Sequence, residues 1–89
     1  MNTEINKHEL CEELRQRMRK GEVKFTFVKK NGEVRDARGT LDMSEGGLIA
    51  PEFYPKGTGK EYQGIVKYFD LDKQAWRSFD EDQLVSIND

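Results

Sequence analysis

The residues able to do chemistry gather near the C-terminal end of the chain. Arg77 follows Trp76 and precedes Phe79 by two positions in the run Ala75–Phe79. A guanidinium can grip a phosphate or carboxylate through two parallel N–H bonds and can lie against an aromatic ring. Tyr68, in the preceding apolar run, adds a ring and a hydroxyl. Two readings of Arg77 stay open on the residues alone. It either lines a ligand groove or forms a cross-strand salt bridge to Asp70 or Asp72 that fixes the turn. Trp76 has a similar pair of readings. Exposed, it would stack a base or anchor a protein partner. The slightly favoured alternative is a Trp76 covered by the N-terminal helix or by the long central loop.

A second set of candidates is basic. Lys24, Lys29, Lys30, Arg35 and Arg38 cluster around the first hairpin, and Lys56, Lys60 and Lys67 can add to them. Such a ridge is able to track phosphates. Glu22, Glu33 and Asp36 are interleaved with it, which favours a solvated face with its charge largely neutralised. The ligand-binding set is therefore Arg77, Trp76, Tyr68, Lys29, Lys30, Arg35 and Arg38, with loop contacts from Lys56, Lys60 and Tyr62.

Catalytic and metal constellations are not expected. His8 is the sole histidine and sits in a helical pattern without a nucleophile–base motif around it. One Cys and one His do not make a zinc site. Gly57-Thr58-Gly59-Lys60 lacks the remainder of a phosphate-loop motif, and Asp80-Glu81-Asp82 is too short for a calcium loop. The expectation is a protein that is not an enzyme and carries no cofactor.

Composition bounds the rest. Eighty-nine residues make one small domain with a modest core. Charged residues, at 36%, match the hydrophobic 35%, so nine aromatics must supply much of the buried area. A net charge of −2 and a pI near 5.5 argue against duplex binding driven by overall charge. Cys11 is alone, so no intramolecular disulfide forms, and its helical setting suits a buried thiol better than a nucleophile. With no signal peptide or membrane-length apolar run, a cytoplasmic location is expected.

These groups must be positioned by a mainly β fold. Residues 1–21 read as an amphipathic helix, capped by Asn6 with Glu9 three residues on, or by Thr3. Its stripe is Leu10, Leu14 and Met18 beside Cys11. Arg15 is assigned to the charged outer face, and Gly21 is the stop. The stripe should dock on the barrel that follows. Val23 to Val28 alternates as a strand with Val23, Phe25 and Phe27 inward. Asn31-Gly32 predicts a hairpin with both residues at positive φ, and Val34 to Leu41 returns, with Gly39 marking a bulge or bend. The long stretch 42–64 should bring Gly47-Leu48-Ile49 to the core or into a short strand and leave 55–62 exposed. Ile65 to Leu71 and Ala75 to Phe79 are strands three and four, joined by a turn. One 3₁₀ turn at Asp80–Gln83 leads to the closing strand Leu84–Ile87. Alternation puts Arg77 with Phe79 on the inner face and Trp76 with Ser78 on the outer one.

At this point the chain resembles a known family. Residues 24–35, Lys24-Phe25-Thr26-Phe27 through Val34-Arg35, resemble the opening hairpin of WYL-type domains. Residues 68–79, Tyr68-Phe69-Asp70 through Trp76-Arg77-Ser78-Phe79, resemble their closing hairpin. The nearer likeness is to the small stand-alone branch of uncharacterised bacterial and phage proteins with a WYL-like, Sm/SH3-type barrel, over roughly residues 23–87. The resemblance implies a five-stranded SH3/Sm-like barrel that binds ligands or nucleic acid, with Arg77 lining the groove. In larger WYL proteins the domain follows a winged-helix DNA-binding domain. No winged helix is present in these residues, and the position of the Trp-Tyr-Leu signature reads Ile65-Val66-Lys67, with Tyr68-Phe69 next.

The expected architecture is thus an N-terminal helix, 1–21, packed on a barrel, 22–89, with a long loop at 42–64. The expected function is a regulatory, non-enzymatic module that holds single-stranded nucleic acid or a nucleotide. The alternative is a small phage or bacterial adaptor or inhibitor that docks on a protein through the helix and loop. Self-pairing of edge strands is a third option, and the oligomeric state stays open.

Overall fold

The computed structural model describes residues 6–54 and 64–88. One helix, α1 (Lys7–Lys20), precedes strands β1 (Val23–Val28), β2 (Val34–Thr40), β3 (Ile65–Asp70), β4 (Ala75–Asp80) and β5 (Leu84–Ile87). Two 3₁₀ turns, η1 (Pro51–Phe53) and η2 (Glu81–Gln83), complete the described elements. The five strands form one sheet in the order β4-β3-β2-β1-β5, with antiparallel pairing throughout. Its outer strands, β4 and β5, are consecutive in sequence and joined only by η2. There Asp80 and Gln83 cap each other, and Glu81 N–H reaches the Gly64 carbonyl.

The central strand β2 is paired on both sides, but to different extents. It pairs fully with β1, from Val28↔Val34 to Val23↔Gly39. With β3 it pairs only through Gly39↔Asp70 and Thr40↔Phe69. Gly39 faces both Val23 of β1 and Asp70 of β3, and the Tyr68 ring lies directly against it. A Cβ at this position would meet Tyr68 Cδ2 at 2.6 Å. The register shift of the sheet is elsewhere, between β1 and β5, where Thr26 faces Ser86 but Phe27 faces Leu84 and Val85 is left over. Gly39 is thus a site of close approach, while the bulge belongs to β5, where Val85 is the extra residue.

Alternation sends Val23, Phe25, Phe27, Ala37, Val66, Tyr68, Phe79 and Leu84 to the inner face, where all are buried. Phe27 and Phe79 stack at 4.6 Å between ring centroids, and Phe25 meets Tyr68 edge-on at 5.0 Å. Cys11, Leu14 and Met18 of α1 close this core from one side. Fully burying side chains of this size is worth roughly 1.5–3 kcal/mol each, enough to hold a 14-residue helix that would be marginal alone.

Asn6 is the N-cap of α1, its Oδ1 accepting Glu9 N–H at 2.8 Å. Thr3 lies outside the described residues. Arg15 corrects the expected helical face. It lies four residues after Cys11 and three before Met18, on the buried stripe, and is only 6% exposed. Its guanidinium donates to Glu12, to Glu81 Oε2 at 2.9 Å and to the Ile65 carbonyl at 2.8 Å. A buried cation needs such partners, so Arg15 anchors the helix to η2 and β3. Glu81 also accepts His8 Nδ1 at 3.1 Å, and Lys7 Nζ donates to the Leu84 carbonyl.

The β1–β2 turn forms where Asn31-Gly32 predicts it, but with a different backbone. Only Gly32 has positive φ, at 90°. Gly32 N–H bonds to the Lys29 carbonyl and Lys29 N–H to the Glu33 carbonyl. This is a turn over Lys29–Gly32 that ends on a left-handed glycine, the longer hairpin geometry, which leaves Asn31 on the ordinary side of φ. In the central loop, Ile49 is 1% exposed whereas Leu48 is 45% exposed, and no strand forms between residues 42 and 54. Pro51–Phe53 instead folds over the outer face. Phe53 packs on Phe69 at 5.3 Å and its carbonyl accepts the Trp76 indole N–H at 2.7 Å.

Candidate anion-binding recess

Antiparallel pairing places Arg77 directly across from Tyr68, and Arg35 directly across from Phe27. Tyr68 and Asp70 are two apart on β3, so both face inward with these arginines. The result is a recess of about 350 Å³ with Tyr68, Phe27 and Phe79 at its base and Arg35, Arg77, Lys29 and Lys30 around it. That volume suits one nucleotide-sized ligand.

Asp70 organises the cations. Its side chain is 2% exposed. Oδ1 accepts the N–H groups of Asp72 and Lys73 at 2.9 and 3.0 Å, which fixes the β3–β4 turn. Oδ2 faces Arg35 Nη2 at 3.7 Å and Arg77 Nε at 3.6 Å. Both distances are too long for hydrogen bonds. The carboxylate therefore holds two guanidiniums together without saturating their donors. The salt-bridge role of Arg77 is present, with Asp70 as partner, and coexists with a place in the recess wall. Asp72 pairs instead with Arg38 at 3.2 Å.

Two donors in this recess have no hydrogen-bond partner among the described residues: Tyr68 Oη and Arg35 Nε. Buried donors in folded proteins are almost always satisfied, so these two are places where water or a bound group could complete the hydrogen bonding. Burial, with the nearby Asp70 charge, pushes the Tyr68 phenol up to about 12 against the pull of Arg35 and Arg77. At neutral pH it is an O–H donor. Four cations line the recess against Asp80 at its edge and Asp70 behind the arginines, an excess of two positive charges. Lys29 is also 3.7 Å from Glu33 on the solvent side.

The structure brings together Arg77, Tyr68, Arg35, Lys29 and Lys30 of the sequence candidates. It does not bring in Trp76 or Arg38. Trp76 pairs with Phe69 on the outer face, where Phe53 caps it and Lys67 Nζ lies 5.2 Å from its ring centroid. The cover over Trp76 thus comes from the central loop. Arg38 faces Lys24, Asp36 and Asp72 on the other side of β2 and pairs with Glu22 at 3.7 Å. Lys56, Lys60 and Tyr62 lie outside the described residues. Sequence reasoning missed the ion pair of Asp70 with Arg35, because it depends on how β2 and β3, distant in sequence, are paired.

A second polar cluster, His8, Glu12 and Glu81, brings three ligand-type atoms within 4.8 Å of one another. Arg15 Nη1 bonds both carboxylates, so the cluster already has its cation and serves as the helix clasp. The Cys11 thiol beneath it is fully buried, and that burial, aided by Glu81, pushes it up to about 11. Such a thiol is not a nucleophile at neutral pH. No helix among the described residues is long and apolar enough to cross a membrane.

Comparison with known proteins bears on the fold. A phage T4 protein, described as the uncharacterized 11.5 kDa protein in the Gp31-cd intergenic region, is 29% identical over 75 residues. The matched stretch is 84% of this chain and 74% of that protein. No solved structure matches the chain. The family described as WYL_2, with an Sm-like SH3 beta-barrel fold, matches residues 11–85, from the buried stripe of α1 to the last strand. Strand order, the 3₁₀ turn before β5 and this match together show that the chain belongs to the WYL_2 family of Sm-like SH3 barrels.

Proposed function

We propose that the protein is a non-enzymatic, regulatory binding module, and that its recess holds an anionic ligand such as single-stranded nucleic acid or a nucleotide. The observation that carries this reading is the convergence of Arg35 and Arg77 on one buried carboxylate, beside a fully buried tyrosine whose hydroxyl has no partner among the described residues. Bidentate guanidinium contacts and a phenol donor are the groups that phosphate oxygens accept best. The aromatic rings at the base are packed among themselves, so the support here is for gripping phosphate. The acidic pI does not oppose this, because the positive excess is local.

The adaptor reading is less favoured. The apolar stripe of α1 is spent on the protein's own core, which leaves a charged face for any partner.

The test is fluorescence anisotropy of a labelled single-stranded oligonucleotide against protein at several salt concentrations. The recess has room for few phosphates, so log K should fall with log salt at a slope near −0.7 to −1.4, about one to two phosphates. Arg77→Ala and Arg35→Ala should each weaken binding at least tenfold with unchanged circular dichroism. Unchanged affinity in both variants removes the proposal.

A further inference from the structure

We infer that the recess recognises a phosphomonoester, the terminal phosphate of a nucleotide or of a strand end, in preference to the phosphodiesters within a strand. This rests on the reading of the recess as an anion site and deepens it.

The donor arrangement leads there. Tyr68 Oη and Arg35 Nε are unpartnered among the described residues, and the Arg77 guanidinium stands 3.6 Å from Asp70 with its donors unsaturated by that carboxylate. Three separate donor groups thus surround one space. A phosphomonoester presents three terminal oxygens and carries up to two negative charges. An internal phosphodiester presents two and carries one. The lining has an excess of two positive charges, which matches the dianion.

Access points the same way. Tyr68 is fully buried, and Phe27 and Phe79 are 6% and 5% exposed, so the base of the recess is closed by packed rings. A group that reaches Tyr68 Oη must enter head-on from the mouth. The end of a molecule does this readily. A strand lying across the recess keeps its phosphates at the level of Lys29, Lys30 and the outer atoms of Arg77.

Selectivity against a hydroxyl end follows from desolvation. Buried donors that find acceptors in one ligand and none in another discriminate strongly between them. Tyr68→Phe keeps the ring, and with it the packing on Phe25 and Phe79, and deletes one of the three donors.

The experiment is competition anisotropy with the full chain. A labelled single-stranded oligonucleotide carrying a 5′-phosphate is displaced by unlabelled strands of the same sequence with a 5′-phosphate, a 3′-phosphate or hydroxyls at both ends, and by ribose 5-phosphate. A terminal phosphate is expected to tighten binding at least tenfold over hydroxyl ends. Tyr68→Phe is expected to shrink that ratio at least threefold. Displacement by ribose 5-phosphate at comparable concentration supports the inference with a free phosphorylated metabolite as the source. Displacement by the phosphorylated strands alone supports it with a strand end as the source. Equal binding of phosphorylated and hydroxyl-ended strands overturns the inference and leaves the anion site standing. An absence of binding by every probe overturns both.

Discussion

Asp70→Asn separates the recess from an ordinary structural salt bridge, because it should move stability and affinity in opposite directions. Asn retains Oδ1, so the two turn bonds from Asp72 and Lys73 survive. What is lost is the charge between Arg35 and Arg77. At 3.6 and 3.7 Å and an effective dielectric near 20, each unit-charge pair interacts by roughly 4–5 kcal/mol. Water reaches the Arg77 side chain, 45% exposed, and the Arg35 side chain, 27% exposed, and screens most of this. A net loss of about 2 kcal/mol is expected, since the buried member is the one removed. For a domain of this size that lowers Tm by roughly 8–16 °C. A phosphate seated on both arginines would lie on the order of 6 Å from Asp70. At an effective dielectric of roughly 40–80 their repulsion is about 0.7–1.4 kcal/mol. Its removal tightens phosphate binding about three- to tenfold at low salt. Thermal melting by circular dichroism and anisotropy with a 5′-phosphorylated oligonucleotide measure the two effects. Asp72→Asn, which perturbs only the Arg38 pair on the other face, is the control and should leave affinity within twofold. If Asp70→Asn weakens binding along with stability, Asp70 does not share its arginines with a ligand and the recess reasoning fails.

Three further outcomes follow from the packing. Arg15→Ala should cost about 3–5 kcal/mol by chemical denaturation, because it strands the Glu81 carboxylate and the Ile65 carbonyl beneath the helix; a loss below 1 kcal/mol would show that α1 is held by its apolar stripe alone. Gly39→Ala should cost about 1–3 kcal/mol, since its Cβ must displace the Tyr68 ring, and should weaken phosphate binding as the phenol moves. Stability should also fall at alkaline pH. The Cys11 thiol is raised from 9.0 to about 11 and the Tyr68 phenol from 10.0 to about 12, so the unfolded chain loses both protons first. Their stabilising effect is complete below pH 9 and disappears as pH rises through about 12, roughly 2–3 kcal/mol for each group. Denaturation midpoints measured from pH 7 to 12 should stay flat and then drop, with the onset in Cys11→Ala delayed to about pH 10; a profile without the drop contradicts the burial argument.

How much of this could be read in the chain varies with the range of the interaction. Local patterns sufficed for β1 and β5, whose bounds match the alternation, and for the η2 turn between two strands. The same alternation sorted Arg77 from Trp76, because face assignment needs only a period of two. Arg15 was misplaced because its charge suggested solvent, whereas its position four residues after Cys11 put it on the buried stripe. The β1–β2 loop was located by Asn31-Gly32, but its backbone depends on how many residues the flanking strands leave over, which the dipeptide does not encode. Arg35 was placed among the bases of a ridge. Its role beside Asp70 is fixed by the two-residue β2–β3 ladder, a contact between distant segments. Asp70 itself was visible as a turn residue and a possible partner of Arg77, but not as a partner of Arg35. The orphan donors could not be inferred from residue types, since they are defined by what fails to reach them.

The central claim is that one space, bounded by Arg35, Arg77 and Tyr68, receives a phosphate. It is tested most directly by following the arginine Nε–H and tryptophan indole N–H signals by NMR while the 5′-phosphorylated oligonucleotide is titrated into labelled protein. The Arg35 and Arg77 signals should shift together and saturate with one dissociation constant, while the Trp76 indole, bonded to the Phe53 carbonyl on the other face, stays still. Movement of the Trp76 signal with both guanidinium signals fixed would place the ligand on the outer face and contradict the account.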